Sequence, residues 1–298
     1  MEDWSIKSSF MRKPNLFDIS VELQQIRTHA GNTHIFKMYA PDVAATAQPG
    51  QFVQIRCHEL LPLRRPFSLL SADPGSGEIE ILFKQVGEGT KHLANCEVGD
   101  YLQLLGPIGN GFHLDSNRPR AVLLGGGVGM PPILFLAKKL QQQGITTTLF
   151  LGSEIPFPFA VETSKHTLPG ISRNVDGVCP QAQEAGIPSR LASLNNMAGC
   201  YPGYVTDLAD DWLNQLTDED KNQLCVYACG PTPMLNASAT LADTHQLPSQ
   251  LCVEEFMACG VGGCAGCVIE TVTNNEIKMQ RVCVDGPVFD GATILVNR

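Results

Sequence analysis

Cys259, Cys264 and Cys267 fall within the nine residues CGVGGCAGC, and fifteen residues separate the third from Cys283. Three thiols on one short loop and a fourth on a later segment oblige the chain to bring two stretches to one place. The spacing C-x4-C-x2-C…C is that of a plant-type [2Fe–2S] site, in which four thiolates hold two irons. Structural zinc more often takes two separated C-x2-C knuckles, so a zinc site and chance spacing stand as the alternatives. Gly260, Gly262, Gly263 and Gly266 fill the loop; glycine lets the backbone curl and turn N–H groups toward sulfur. A chain holding such a cluster moves single electrons.

The 298 residues suffice for two or three domains with real cores. A net charge of −9 argues against nucleic acid and anionic membranes as partners. The opening MEDWSIKSSFMRKPNLFD has no apolar core of a secretory signal, so a reducing, cytoplasmic setting is expected. There, clustered cysteines read as metal ligands, while Cys57, Cys96, Cys179, Cys200, Cys225 and Cys252 read as small buried hydrophobes. The uncharged run Ala121–Ala137 is shorter than a membrane span and is interrupted by glycines and Pro131-Pro132. A strand, a tight turn and a helix start explain it better.

Three regions are expected. Residues 16–117 carry short apolar runs between turn signals (HIFKMYA, QFVQIRC, FSLLS, EIEILFK, YLQLL), the pattern of a small antiparallel β-barrel. Residues 118–250 alternate buried strands and helices: AVLLGG, ILFLAKKLQQQG, TTTLFLG, CVYACG and PMLNASATLADTHQL. That is a parallel α/β sheet, with a long irregular insertion over 155–203. Residues 251–298 hold the cysteine loop, the strand CVIETV and the turn TNNE. This piece is too small for a large core, so bound metal is expected to contribute to its stability.

Four loops carry further chemistry. Arg64-Arg65-Pro66-Phe67-Ser68 offers a guanidinium fork and a hydroxyl to a phosphate; a basic surface pair at a turn is the plain alternative. Gly87-Glu88-Gly89-Thr90-Lys91 puts small residues at a helix start, where free N–H groups face an anion or are simply capped. A dinucleotide has two phosphates, and the barrel carries two such loops. Gly125-Gly126-Gly127-Val128-Gly129 follows a buried strand and opens a helix, as in dinucleotide-binding turns, with Pro131 in place of the third glycine of that pattern. Cys229-Gly230-Pro231 repeats the strand–turn–helix arrangement and puts a thiol at the carboxyl end of the sheet, where ligands bind; a buried strand-end cysteine is the alternative.

The set RPFS, GEGT, GPIGNGF, GGGVGMPPI, CGPTPML and EEFMACGVGGCAGC…RVCVDGPVF resembles the electron transfer subunits of class 1B dihydroorotate dehydrogenases. Those subunits belong to the ferredoxin–NADP reductase-like superfamily. The resemblance implies a flavin-binding barrel, a nucleotide-binding α/β domain and a C-terminal [2Fe–2S] domain. It implies that Arg65, Pro66, Phe67 and Ser68 contact FAD, that Leu82, Phe83 and Lys84 line its site, and that Gly89 and Thr90 hold its phosphates. Gly125, Gly126, Gly127, Val128, Gly129, Cys229, Gly230 and Pro231 would face NAD(H), and Cys259, Cys264, Cys267 and Cys283 would ligate the cluster. The implied partner is an FMN-containing dihydroorotate dehydrogenase catalytic subunit, in a heterotetramer serving pyrimidine biosynthesis. Similar subunits serve NAD(P)H:ferredoxin oxidoreductases and sulfhydrogenases, and a zinc-stabilised nucleotide-binding module is the non-enzymatic alternative.

Two segments depart from the family pattern: SLNNMAG (193–199) stands where Asp-Asp-Gly is common, and 157–181 has no clear counterpart. Glu154, at the end of the second α/β strand, can accept from a ribose 2′-OH and repel a 2′-phosphate, which favours NADH over NADPH. Glu254, Glu255, Phe256 and Met257, just before Cys259, are candidates for the docking face.

Overall fold

A computed structural model describes residues 15–294. The first half is a closed antiparallel barrel of β1 (Phe17–His29), β2 (Thr33–Tyr39), β3 (Phe52–Ile55), β4 (Arg65–Asp73), β5 (Glu78–Lys84) and β6 (Tyr101–Ile108), in the order β1-β2-β5-β4-β3-β6. Helix α1 (Pro41–Thr46) follows β2, and α2 (Glu88–Ala94) follows β5. Alternate side chains point inward. Leu23, Phe36, Met38, Val53, Ile55, Leu69, Ile79, Ile81 and Leu104 fill the interior. Strand β1 matches none of the apolar runs read from the sequence. Its register shifts between Leu23 and Gln25, and this bulge breaks the alternation that would mark it.

The second half is a six-stranded sheet flanked by helices. Its elements are β7 (Arg120–Gly126), α3 (Met130–Gln142), β8 (Thr146–Gly152), β9 (Glu162–Thr163), β10 (Gly177–Val178), α4 (Pro180–Glu184), β11 (Ser189–Ala192), α5 (Val205–Leu213), α6 (Asp218–Lys221), β12 (Leu224–Cys229), α7 (Thr232–Thr244) and β13 (Ser249–Cys252). Strand order is β11-β8-β7-β12-β13, all parallel, and it reverses direction of travel beside β7, the crevice where such sheets bind ligands. The uncharged run Ala121–Ala137 is β7, a 3₁₀ turn over Gly127–Gly129 and the start of α3. Among the described residues no helix is long and apolar enough to cross a membrane. Helix α3 begins at Met130, before the expected Ile133, because Pro131 and Pro132 fit a first turn that needs no N–H partner.

The 155–203 insertion contains the two-stranded β9–β10 sheet, α4 and β11. Buried Arg190 of β11 fastens the segment after β9: Nη1 donates to Ser164 Oγ at 2.9 Å and Nη2 to the His166 carbonyl at 2.5 Å. Helix α5, absent from the sequence reading, lays Leu208, Ala209 and Trp212 on the sheet, with Trp212 5.7 Å from Phe150 between ring centroids.

The C-terminal segment forms a hairpin, β14 (Val268–Thr273) and β15 (Glu276–Arg281), and then β16 (Val288–Asp290). Asn274 and Asn275 both adopt positive φ at the hairpin turn. Strand β16 pairs antiparallel with β13. The sheet therefore runs across the expected 250/251 boundary. The cysteine segment shares core residues with the α/β domain and is not a separately packed unit.

Barrel, sheet and cysteine segment meet at the loop after β6. The Asn110 N–H donates to the Gly286 carbonyl at 2.6 Å, and its side-chain Nδ2 donates to the carbonyls of Val284 (3.0 Å) and Asp285 (3.1 Å). Gln250 of β13 exchanges two bonds with the His113 backbone, at 3.1 and 2.6 Å. Gly109 has φ +85°, and a Cβ there would lie 2.3 Å from Pro287 Cδ and 2.7 Å from the Gly286 carbonyl. Gly109→Ala is therefore expected to destabilise the protein by about 2 kcal/mol or more, from backbone strain and overpacking together. Denaturant unfolding of the variant beside the parent checks this, and an unchanged midpoint would mean that the loop adjusts freely.

Candidate functional site

The outer face of β3–β4 is the centre of the site. Arg64 is committed elsewhere: its Nη2 pairs with both Asp18 carboxylate oxygens on β1, at 2.8 and 3.0 Å. Arg65, which opens β4, is half-buried, and its Nη1 donates to the Leu63 carbonyl at 2.9 Å. It lies against the first turn of α2: a Cβ on Gly89 would be 3.4 Å from Arg65 Cγ and Nε. The two barrel loops read as phosphate sites are therefore brought together. Thr90 Oγ1 accepts from the N–H groups of Val86 (2.9 Å) and Gly87 (3.1 Å) and donates to the Gly87 carbonyl. Its hydroxyl thus holds the turn before the helix, leaving backbone N–H groups to meet an anion.

Phe67 and Phe83 point into the barrel, 5.6 Å apart between ring centroids, with His34 and Phe36 packed on Phe83. Only their backbone is available to a ligand outside. The period of two puts Pro66 and Ser68 on the outer face of β4, and Leu82, buried, on the outer face of β5. Lys84 ends β5, paired with Thr33.

The glycine loop and the Cys229–Pro231 turn stand at the carboxyl ends of neighbouring strands, with Gly125 in register with Cys229. They touch: a Cβ on Gly129 would be 2.5 Å from the Gly230 nitrogen, and one on Gly126 would be 2.2 Å from Met234 Sδ. Gly127 differs, with φ +54° and open space around it, and Val128 beside it is exposed. Cys229 is completely buried, so its thiol does not stand free at the strand end. The Cys252 thiol in register beside it, burial and the Glu254 charge together push its thiol well up. Glu154 is exposed after β8, and its backbone carbonyl accepts from Asn195 Nδ2. The departing segment SLNNMAG therefore adjoins Glu154.

The four spaced cysteines come together in two pairs. The Cys264 N–H points at Cys259 Sγ at 3.4 Å, and the Gly266 N–H at Cys264 Sγ at 3.4 Å. Burial pushes the Cys259 thiol up, but N–H groups of Val261, Cys264 and Gly263 and the Cys264 thiol outweigh it, bringing it down to about 7. Cys267 and Cys283 are buried, and burial with their mutual contact pushes Cys283 up to about 12. Among the described residues no three His, Cys, Asp or Glu side chains gather as a single-ion site would require. Thiols in two pairs, one with N–H groups already aimed at sulfur, suit a binuclear cluster, in which each iron takes two.

The cysteine loop lies on the barrel. Gly260 has φ +66°, and a Cβ there would be 2.7 Å from Gln54 Oε1. Gln54 is opposite Pro66 in the β3–β4 register. On the other side, Arg281 Nη1 donates to the Gly262 carbonyl at 3.2 Å. Gln54, Asn110 and Arg281 are the residues sequence reasoning missed. Asn110 lies within GPIGNGF, and Gln54 is the polar residue inside the apolar run QFVQIRC. Such a polar interruption is the signal that could have found it.

A ferredoxin reductase-like barrel and sheet, with a three-thiol loop docked on the barrel and a fourth thiol on the segment after it, is the layout of an iron–sulfur flavoprotein reductase. An oxidoreductase FAD-binding domain model matches residues 20–113, and the iron–sulfur cluster binding domain of dihydroorotate dehydrogenase B matches residues 254–295. The electron transfer subunit of dihydroorotate dehydrogenase B (NAD(+)) from Geobacillus thermodenitrificans is 34% identical over 275 residues, 91% of this chain and 95% of that protein. Its counterpart from Desulforamulus reducens is 31% identical over 265 residues, 87% of this chain and 91% of that one. Among solved structures, an NADH-dependent reduced ferredoxin-NADP oxidoreductase, described for flavin-based electron bifurcation, superposes with a TM-score of 0.73 at 28% identity, covering 91% of this chain and 88% of that one. The chain belongs to the family of dihydroorotate dehydrogenase B electron transfer subunits.

If Arg65 meets a flavin phosphate, as the family resemblance implies, that charged hydrogen bond would contribute about 1.5–3 kcal/mol. Arg65→Ala is thus expected to weaken FAD retention by about ten- to a hundredfold. Flavin content after gel filtration and equilibrium titration measure it; unchanged affinity would return Arg65 to the surface.

Proposed function

We propose that this chain is the reductase half of a two-subunit enzyme, passing electrons between NAD(H) and an FMN-containing dihydroorotate dehydrogenase catalytic subunit. The observation that carries this reading is the contact of the cysteine loop with Gln54, one strand from the Arg65–Ser68 segment. Bound FAD would supply the exchange between two-electron and one-electron chemistry, and a bound cluster one-electron transfer.

The chain's own residues bind, orient and exclude water. Arg65 and the first turn of α2 hold the flavin's phosphates, while the β4 backbone at Pro66–Ser68, with Leu82 and Lys84, supports the rest. Gly127 and Val128 present open backbone to the nicotinamide nucleotide, and Gly230 and Pro231 form the opposite lip. Cys259, Cys264, Cys267 and Cys283 would hold the cluster through their thiolates. Phe256, 93% exposed three residues before Cys259, marks the docking face for the partner subunit, in a heterotetramer. All eleven cysteines are free in the structure, which suits a cytoplasmic protein.

Cys264→Ser removes a ligand on the exposed side of the loop, away from the flavin strand. It is expected to bleach the visible iron–sulfur bands while most flavin stays bound; zinc in place of iron after anaerobic purification of the parent would overturn the ligand assignment. The function itself is tested by NADH-dependent orotate reduction, with the isolated chain and then with the catalytic subunit from the same cell. Turnover is expected in the mixture alone, and it should be slower with NADPH because Glu154 would repel the 2′-phosphate. Turnover by the chain alone would refute the two-subunit reading. The likeness to the ferredoxin-NADP oxidoreductase supports a second reading, in which the partner is a ferredoxin-linked subunit. Failure with every catalytic subunit would favour it.

A further inference from the structure

Gln54 is buried in the middle of β3, with 1% of its surface exposed, and its Nε2 has no hydrogen-bond partner among the described residues. A buried donor left unpaired costs about 1–3 kcal/mol, so such a group usually answers to something the polypeptide itself does not provide. Its strand neighbours Val53 and Ile55 point into the barrel core, so Gln54 points outward. On that face it stands between Pro66 of β4 and Leu105 of β6, its register partners. The amide lies directly against the cysteine loop: a Cβ on Gly260 would be 2.7 Å from Oε1, 2.8 Å from Cδ and 3.0 Å from Nε2. Gly260 is the residue after Cys259.

A cluster held by four thiolates is anionic and gains a further negative charge on reduction. Its sulfurs therefore accept N–H bonds more strongly when reduced, and each such bond raises the potential. The adjoining flavin face is the other place an amide on this strand could serve. The position of Gln54 under Gly260 favours the sulfur side.

We propose that Gln54 is a positioning residue for electron transfer: its buried Nε2 donates to a sulfur of the cluster at the Cys259 end of the loop, tuning the cluster and fixing it against the flavin strand. This rests on the reading of the four cysteines as cluster ligands.

The test uses the purified holoprotein and its Gln54→Met variant, which keeps length and bulk and loses the donor. Cluster and flavin midpoints are followed separately, by electron paramagnetic resonance and by absorbance. The variant's reduced-to-oxidised cluster ratio at a fixed poise is expected to fall about tenfold, equivalent to about 59 mV for a one-electron couple. Flavin content and flavin midpoint should stay as in the parent. A cluster midpoint within about twofold of the parent ratio overturns the proposal, and so does a shift confined to the flavin. Should the variant lose its iron, the parent alone decides: with ¹⁵N in glutamine side chains, pulsed resonance of the reduced cluster is expected to show a nitrogen coupling, and its absence overturns the proposal. A parent purified without iron would instead refute the ligand reading beneath it, an outcome recognisable before any variant is made.

Discussion

The contact between Gln54 and Gly260 fixes the relation between the two redox halves of this protein. A loop of nine residues containing four glycines has no core of its own and cannot hold a direction in space by packing. It is held from outside instead. Gln54 backs it at Gly260, Arg281 grips the Gly262 carbonyl, and Asn110 clamps the following turn through three hydrogen bonds. Two of these three anchors, Gln54 and Asn110, come from the barrel. The one-electron site is therefore positioned by the flavin domain, and the sheet closes over it through β16.

The thiols are graded by exposure along the same line. Cys267 and Cys283 pack with Phe52 and Ile108 of the barrel and with Val282, whereas Cys264 is exposed. Their acidities differ accordingly: Cys259 is brought to about 7 by N–H donors, while Cys283 is pushed up to about 12. Cys283 gives up its proton at neutral pH only to a cation strong enough to replace it, so metal binding there is coupled to proton release and to folding of the segment. Cys259 is prepared for metal by N–H groups of its own loop together with the Cys264 thiol, which suits a loop assembled on the surface.

Much of this was legible locally. The run TTTLFLG is β8 to the residue, CVYACG and PMLNASATLADTHQL mark β12 and α7 closely, and the cysteine spacing indicated two converging segments. Each of these signals is a short-range one, a period or a spacing. What the sequence hid is long-range. The bulge at Leu23–Gln25 erases the alternation of β1, and the four residues of β13 are too few to show that a later strand will pair with them. Gln54 and Gly260 lie at opposite ends of the chain, and neither carries a mark of the other. The two loops read as phosphate sites lie together, with Arg65 against Gly89, but part of their side-chain chemistry is committed within the fold: Thr90 Oγ1 holds the turn before α2, and Arg64, read together with Arg65, is bound to Asp18.

The architecture also separates the glycine loop from the cysteine loop. Strand β4 is contacted on one side by α3, the helix that follows the glycine loop, and paired on the other with β3, which carries Gln54. Phe135 of α3 reaches the barrel core, so the nucleotide sheet is braced against the flavin barrel, not merely tethered to it. The glycine loop approaches β4 from the sheet side, while the cysteine loop approaches through β3. The two loops therefore reach β4 by different routes, and a change that loosens the cysteine loop does not act directly on the turn at Gly230 and Pro231. Coupling between them has to pass through β4 and whatever it supports, which makes the Arg65–Ser68 segment the point where both routes join.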